Sequence, residues 1–186
     1  MPLSSHNGKL VHNLAGNPMK KVAIATLLAS LAVLAGGPAF AAEPASKPTA
    51  KPAPDKSVGS VLDSLKYHYE VDNDGDYRMT FDMDNDRTQL VFVRSPVETY
   101  GSFHIREIWS PAYKAPNGKF PADVAVRLLE DSNDSKMGGW VKQGDIAMFV
   151  VKIDANANAD QLSDAIDAAI KSADGMEKEL TSKDDF

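Results

Sequence analysis

The residues best equipped for chemistry in this chain are carboxylates set at alternate positions. Asp72-Asn73-Asp74-Gly75-Asp76 places three of them in the rhythm of a calcium loop, which presents oxygen ligands at every second residue. Such a loop also needs a glycine at its sixth position and a bidentate Glu at its twelfth, where this chain has Tyr77 and Met83. Asp, Asn and Gly in succession equally make a hairpin turn, because all three tolerate positive φ. We therefore read Asp72, Asp74 and Asp76 as a turn first and as weak metal candidates second, and assign no metal. Asp82-Met83-Asp84-Asn85-Asp86 repeats the rhythm without a glycine. It falls at the other end of the strand expected over 77–81, about 15 Å away at ~3.3 Å per residue, so the two runs do not combine. Asp154, Asn156 and Asn158 form a third run, which reads as the entry to a capped helix.

Other catalytic chemistry is sparse. His6 and His12 lie in a segment expected to be removed, which leaves His68 and His104. His104-Ile105-Arg106-Glu107 lacks the second histidine that a zinc-protease helix places four residues on. Ser95, Ser102, Ser110 and Ser135 lack the glycine-flanked elbow of a hydrolase, and no glycine-rich phosphate loop is present. Cysteine is absent, which excludes disulfides, thiolate catalysis, cysteine-bound zinc and a lipid anchor on a cysteine after a signal. No catalytic residue and no cofactor are assigned, and the expectation is a non-enzymatic protein. What remains is aromatic. Tyr100, Phe103, Trp109, Tyr113 and Trp140 are candidate anchors, since Tyr and Trp are over-represented at binding hot spots. Tyr100, Trp109 and Trp140 are the partner-binding candidates.

The segments that must position these residues begin after an export signal. Met19-Lys20-Lys21 is a short basic start, residues 22–35 are uncharged and rich in Ala, Leu and Val, and Ala39-Phe40-Ala41 is a small-x-small cleavage site. The apolar run is too short for the ~20 residues of a spanning helix, so 19–41 is expected to be a cleaved signal peptide with no membrane anchor left behind. Residues 1–18 precede it as an upstream extension or a start placed too early. The expected location is periplasmic or secreted, in a Gram-negative bacterium. After Ala41 the chain has 17 basic and 26 acidic residues, a net charge of −9. That argues against nucleic acid and anionic membrane surfaces as partners, since both need a basic face.

Residues 42–56 form a Pro-, Ala- and Lys-rich tether, followed by one domain over 57–181 and a short tail over 182–186. Ser57 suits the cap of a first helix whose Val58, Val61, Leu62 and Leu65 share a face. Alternation at Tyr67, Tyr69 and Val71, and again at Tyr77, Met79, Phe81 and Met83, predicts two strands around the acidic turn. Leu90–Val93 predicts an apolar strand that Ser95-Pro96 interrupts, because proline cannot donate to a ladder. Phe103–Trp109 predicts another, with a bulge where the alternation slips. Pro121 opens a second helix with Val124, Ala125, Leu128 and Leu129 as its buried stripe. A hairpin follows around Gln143-Gly144-Asp145, and its second strand, Ile146–Ile153, is apolar on both faces, as in the middle of a sheet or under two layers. Asn158 and Gln161 make a capping box for a last helix with Leu162, Ala165, Ile166, Ala169, Ile170 and Ala173 on one face. The order α-β-β-β-(β)-α-β-β-α, with hairpin-linked strands, predicts an α+β domain: an antiparallel sheet with helices packed on it.

On these residues the chain resembles the YbjN-like domain family, which has the type III secretion chaperone-like fold. The similarity lies in the acidic hairpin from Val71 to Tyr77 and the apolar strand Leu90–Val93. It continues in the helix Val124–Glu130, the polar run Asp131-Ser132-Asn133-Asp134, and the aromatic strand at Trp140. The family has been described as sensory-transduction regulators, and related folds bind protein segments. The resemblance thus implies a binding or regulatory module with an unidentified protein partner and no catalytic residue. An exported protein stabilised by calcium through its acidic turns is the alternative.

Overall fold

The structure is a computed structural model and describes residues 52–186. The expected signal peptide, the extension before it and the tether up to residue 51 lie outside the described residues. Three helices and six strands follow in the order α1 (Lys56–Ser64), β1 (Glu70–Val71), β2 (Tyr77–Met83), β3 (Arg87–Tyr100), β4 (Phe103–Lys114), α2 (Ala122–Asp134), β5 (Gly139–Gln143), β6 (Ile146–Asp154) and α3 (Ala159–Thr181). The strands form one open antiparallel sheet in the order β1-β2-β3-β4-β6-β5. The domain is α+β, and its element order is the expected one.

Strand alternation sorts the sheet into two faces. Tyr77 and Met79 of β2, Val91 and Val93 of β3, Ile108 of β4, and Phe149 and Val151 of β6 point to one side. There they meet Leu162, Ala165, Ile166, Ala169, Ala173 and Met176 of α3, and Val58 and Leu62 of α1, in one buried core. α3 reaches β3, β4 and β6, while α2 lies beside β5 and contributes Leu128 to the same core. Leu129, expected in the buried stripe of α2, is 68% exposed, because α2 rests on the sheet margin and buries only a narrow strip.

Several local expectations change in physically instructive ways. The cap of α1 is Asp55, whose carboxylate accepts from the Ser57 amide at 2.9 Å; Ser57 itself lies inside the helix. Tyr67 and Tyr69 precede the two-residue β1, yet both rings reach the core side in edge-to-face contact with Phe81 and Tyr77. Ser95-Pro96 does not end β3. It sits in a bulge, where the register shifts between Val93 and Val97. The bulge expected in 103–109 is absent from that stretch, since β4 keeps an unbroken register with β6 from Ile105 to Pro111. The alternation slips there because a charged residue, Arg106, occupies a core-facing position between Ile108 and the strand end.

β4 has its own irregularity at Pro111–Tyr113. Proline offers no N–H, and side chains replace the missing ladder. Gln89 Nε2 donates to the Pro111 carbonyl at 2.8 Å, and the Ser110 hydroxyl donates to the Leu90 carbonyl at 2.6 Å. The turn before β5 demands Gly138: its φ is +102°, and a Cβ there would lie 2.4 Å from the Val150 carbonyl oxygen. α3 is capped by Asn158 and Gln161 as expected and runs through Gly175 to Thr181.

Candidate binding surface and buried polar anchors

The other face of the sheet carries no helix among the described residues. Leu90 and Phe92 of β3, Ile105, Trp109 and Pro111 of β4, and Met148 and Val150 of β6 point to it. Register places these side chains in adjacent rows: Phe92 pairs with Trp109, Trp109 with Val150, and Pro111 with Met148. The same parity continues along the β3–β4 hairpin to Tyr100 and Phe103, which pair at its tip. They are 78% and 64% exposed. Apolar residues on both faces of β6 therefore do not mark a strand under two helical layers. One face meets α3, and the other joins this apolar band.

Polar groups frame the band. The Arg94 guanidinium stacks on Trp109 at 4.3 Å from the ring centroid, a cation–π contact that rigidifies the indole. The Trp109 indole N–H donates to Glu107 at 2.9 Å, and Glu107 pairs with Lys152 at 2.9 Å. Trp109 is thus a part-buried ring held in one orientation.

The three partner-binding candidates have different fates. Trp109 sits in the middle of the open face and Tyr100 at its protruding end. Trp140 lies on the helical side, where its indole donates to Asp131 of α2 at 2.8 Å and its ring meets Phe149 edge-to-face. Trp140 is a structural residue that fastens α2 to β5. Phe92, Met148 and Val150 complete the face but read as ordinary strand core in sequence. Their signal was the two-sided apolar pattern, which cannot say which side lacks a cover.

The acidic candidates Asp72, Asp74 and Asp76 close the β1–β2 turn. The Asp72 carboxylate accepts from the amides of Asp74 and Asp76, at 2.9 and 3.0 Å. Asp76 is buried, accepts from the Ser95 amide at 2.7 Å, and lies 2.6 Å from Arg94 Nε in an ion pair without the alignment of a hydrogen bond. Burial raises its pKa above the usual 3.8, outweighing the Ser95 amide and Arg94. Among the described residues, no group of three or more His, Cys, Asp or Glu is placed to hold a metal ion.

Two buried charges that sequence reading passed over anchor the domain's ends. Arg106, 3% exposed, donates to the carbonyls of Arg94 and Ser95 and to Asp55 Oδ2 at 2.6 Å. Asp55 also takes the Tyr77 hydroxyl on its carbonyl and gives its amide to the Ser95 hydroxyl, so it ties the chain entering the domain to the bulge of β3. The Ser57 hydroxyl and amide, with Arg106, hold the Asp55 carboxyl below its ordinary pKa. At the other end Glu177 of α3 is fully buried against Arg87 of β3 at 3.1 Å, and its pKa is raised by burial. Arg87 also donates to the Lys183 carbonyl, and Glu177 accepts from the Asp185 amide, so the pair folds the C-terminal tail back on the sheet.

The fold and this surface define an open α+β sheet with one helical side and one bare, aromatic-centred side. Compared with models of protein families the chain matches none, and no curated protein matches its sequence.

Proposed function

We propose that this chain is an exported, non-enzymatic binding module of the YbjN-like kind that engages a protein partner through the helix-free face of its sheet. The observation that carries the reading is the apolar band centred on Trp109, which runs by register across the strands from Phe92 to Val150, with Tyr100 and Phe103 exposed on the same face at the hairpin tip beyond Glu107 and Lys152. A pre-oriented tryptophan among apolar neighbours, flanked by the Arg94–Asp76 and Glu107–Lys152 ion pairs, has the make-up of an interface core beside polar groups. The YbjN-like assignment is supported by the element order and by the acidic hairpin at Asp72–Asp76, and export by the sequence of residues 19–41.

The test is capture from the periplasm of the producing cell, using the tagged chain and two variants. Trp109→Glu places a charge in the centre of the band, and Asp123→Ala changes an exposed residue on the helical side. The parent and Asp123→Ala should retain one partner that Trp109→Glu loses, with all three melting alike. Retention of the partner by Trp109→Glu would refute the assignment of this face.

A further inference from the structure

A groove of about 550 Å³ opens on the helical side of the sheet, between the end of β2 and the middle of α3. α1 covers the start of β2 so closely that a Cβ on Gly59 would lie 2.8 Å from the Tyr77 hydroxyl. It does not reach the other end of the strand, where Phe81 and Met83 remain half-exposed. These two side chains, with Ile166 and Ile170 of α3, give the groove an apolar floor. Its rim is acidic: Asp84 stands on one side, Asp164 and Asp167 on the other, all exposed. The cation in the lining is Lys171, already bound to Asp167 at 2.8 Å.

We propose that this groove docks a cationic amphipathic segment of a protein partner, one in which Lys or Arg alternates with Leu-sized apolar residues. Charge complementarity selects the cationic residues, since three carboxylates against one ammonium leave the rim net negative. The apolar floor selects the alternation: an extended segment turns every second side chain downward, and the long basic ones reach sideways to the rim. Lys171 on Asp167 shows in cis the contact such a segment would make. A divalent cation does not fit, because these carboxylates are not gathered into a metal-holding group. The groove lies on the opposite side of the sheet from Trp109, so it stands independently of the proposed function.

The probe is an acetylated, amidated hexapeptide alternating Lys and Leu, titrated into the isotopically labelled chain. The methyl resonances of Met83, Ile166 and Ile170 report the groove, and the Trp109 indole resonance reports the opposite face. The Lys–Leu peptide should shift the groove methyls saturably and leave the indole unmoved, and its binding should weaken as salt is raised. Asp164→Asn with Asp167→Asn removes two exposed rim charges and should weaken binding about fivefold, the combined effect of two surface ion pairs. Peptides alternating Glu with Leu, or Lys with Ser, should bind more weakly still. Equal binding of either control peptide, unchanged affinity in the double variant, or shifts confined to the indole would each overturn the proposal.

Discussion

Asp55 is the residue on which most of the local order converges. One carboxylate oxygen caps α1 and the other receives Arg106, while the backbone of the same residue binds Ser95 and Tyr77. Removing one partner of a buried pair costs far more than the pair itself contributes, because the remaining charge stays desolvated. Asp55→Ala should therefore destabilise the domain by roughly 3–5 kcal/mol, with Arg106→Met in the same chain restoring part of the loss. Chemical denaturation of the single and double variants checks this, and equal stability of the parent and Asp55→Ala would refute it. The acids also pull in opposite directions with pH. Asp55, with its pKa lowered, adds stability that is present above its ordinary 3.8 and lost as pH falls through the folded value. Glu177, raised from 4.5 by burial, adds stability that is present below 4.5 and lost as pH rises through its folded value. Glu177→Gln removes only the second effect. Its stability relative to the parent should improve as pH rises from about 4 to 7, measured by melts across that window. Calcium supplies a third test. With Asp72 bound to turn amides and Asp76 to Ser95 and Arg94, melting curves in calcium and in chelator should coincide within about a degree, as expected of a ligand that does not bind the native state.

Among the elements, α3 and β5 show how a stripe and an edge are managed. Ile166, 1% exposed, is central to the face that α3 lays on β3, β4 and β6. Truncating a buried isoleucine costs roughly 2–5 kcal/mol in transfer and cavity terms. Ile166→Ala should accordingly lower the melting temperature markedly, whereas Asp164→Ala on the exposed side should leave it within about 0.5 kcal/mol of the parent. β5 is the sheet's longer edge strand, and an open edge invites pairing with another chain. α2 answers this with a single hydroxyl: Ser132 accepts from the Trp140 amide at 2.9 Å, while the Trp140 indole is held by Asp131. Ser132→Ala should cost about 1 kcal/mol, a typical net hydrogen bond, and should raise self-association detectable by light scattering. A variant that stays as monodisperse as the parent would show that the edge is guarded by something else.

At the scale of the molecule, helical packing and the proposed partner face lie on opposite sides of one sheet. Among the described residues the three helices and the main core lie on one side, and the other carries the helix-free band, whose Met148 and Val150 are buried and whose Tyr100 and Phe103 are exposed. Residues at the protruding end of that band carry little of the fold. Phe103→Ser and Tyr100→Ser should leave stability within about 0.5 kcal/mol of the parent, the usual range for exposed positions. The same substitutions should reduce retention of the partner. Loss of stability in Phe103→Ser would mean that the hairpin tip is packed and not presented.

Local information in the sequence was sufficient wherever one segment alone decides the outcome. Period-2 and period-3.6 patterns placed the strands and the helices, Asn158 and Gln161 marked the start of α3, and Gly144-Asp145 marked the β5–β6 turn. The α+β order followed from those patterns. Tertiary structure alone decided everything that depends on a partner distant in the chain. Arg106 reads as a break in an apolar alternation until Asp55, 51 residues away, is seen beside it. Trp109 and Trp140 are equally aromatic in sequence, yet one meets Arg94 and Glu107 on the helix-free face and the other meets Asp131 and Phe149 on the helical side. Alternation states that a strand has two faces, but the crossovers and the reach of three helices determine which of them is covered. Burial is a property of what arrives from elsewhere in the chain, and so the helix-free face became visible only in the folded molecule.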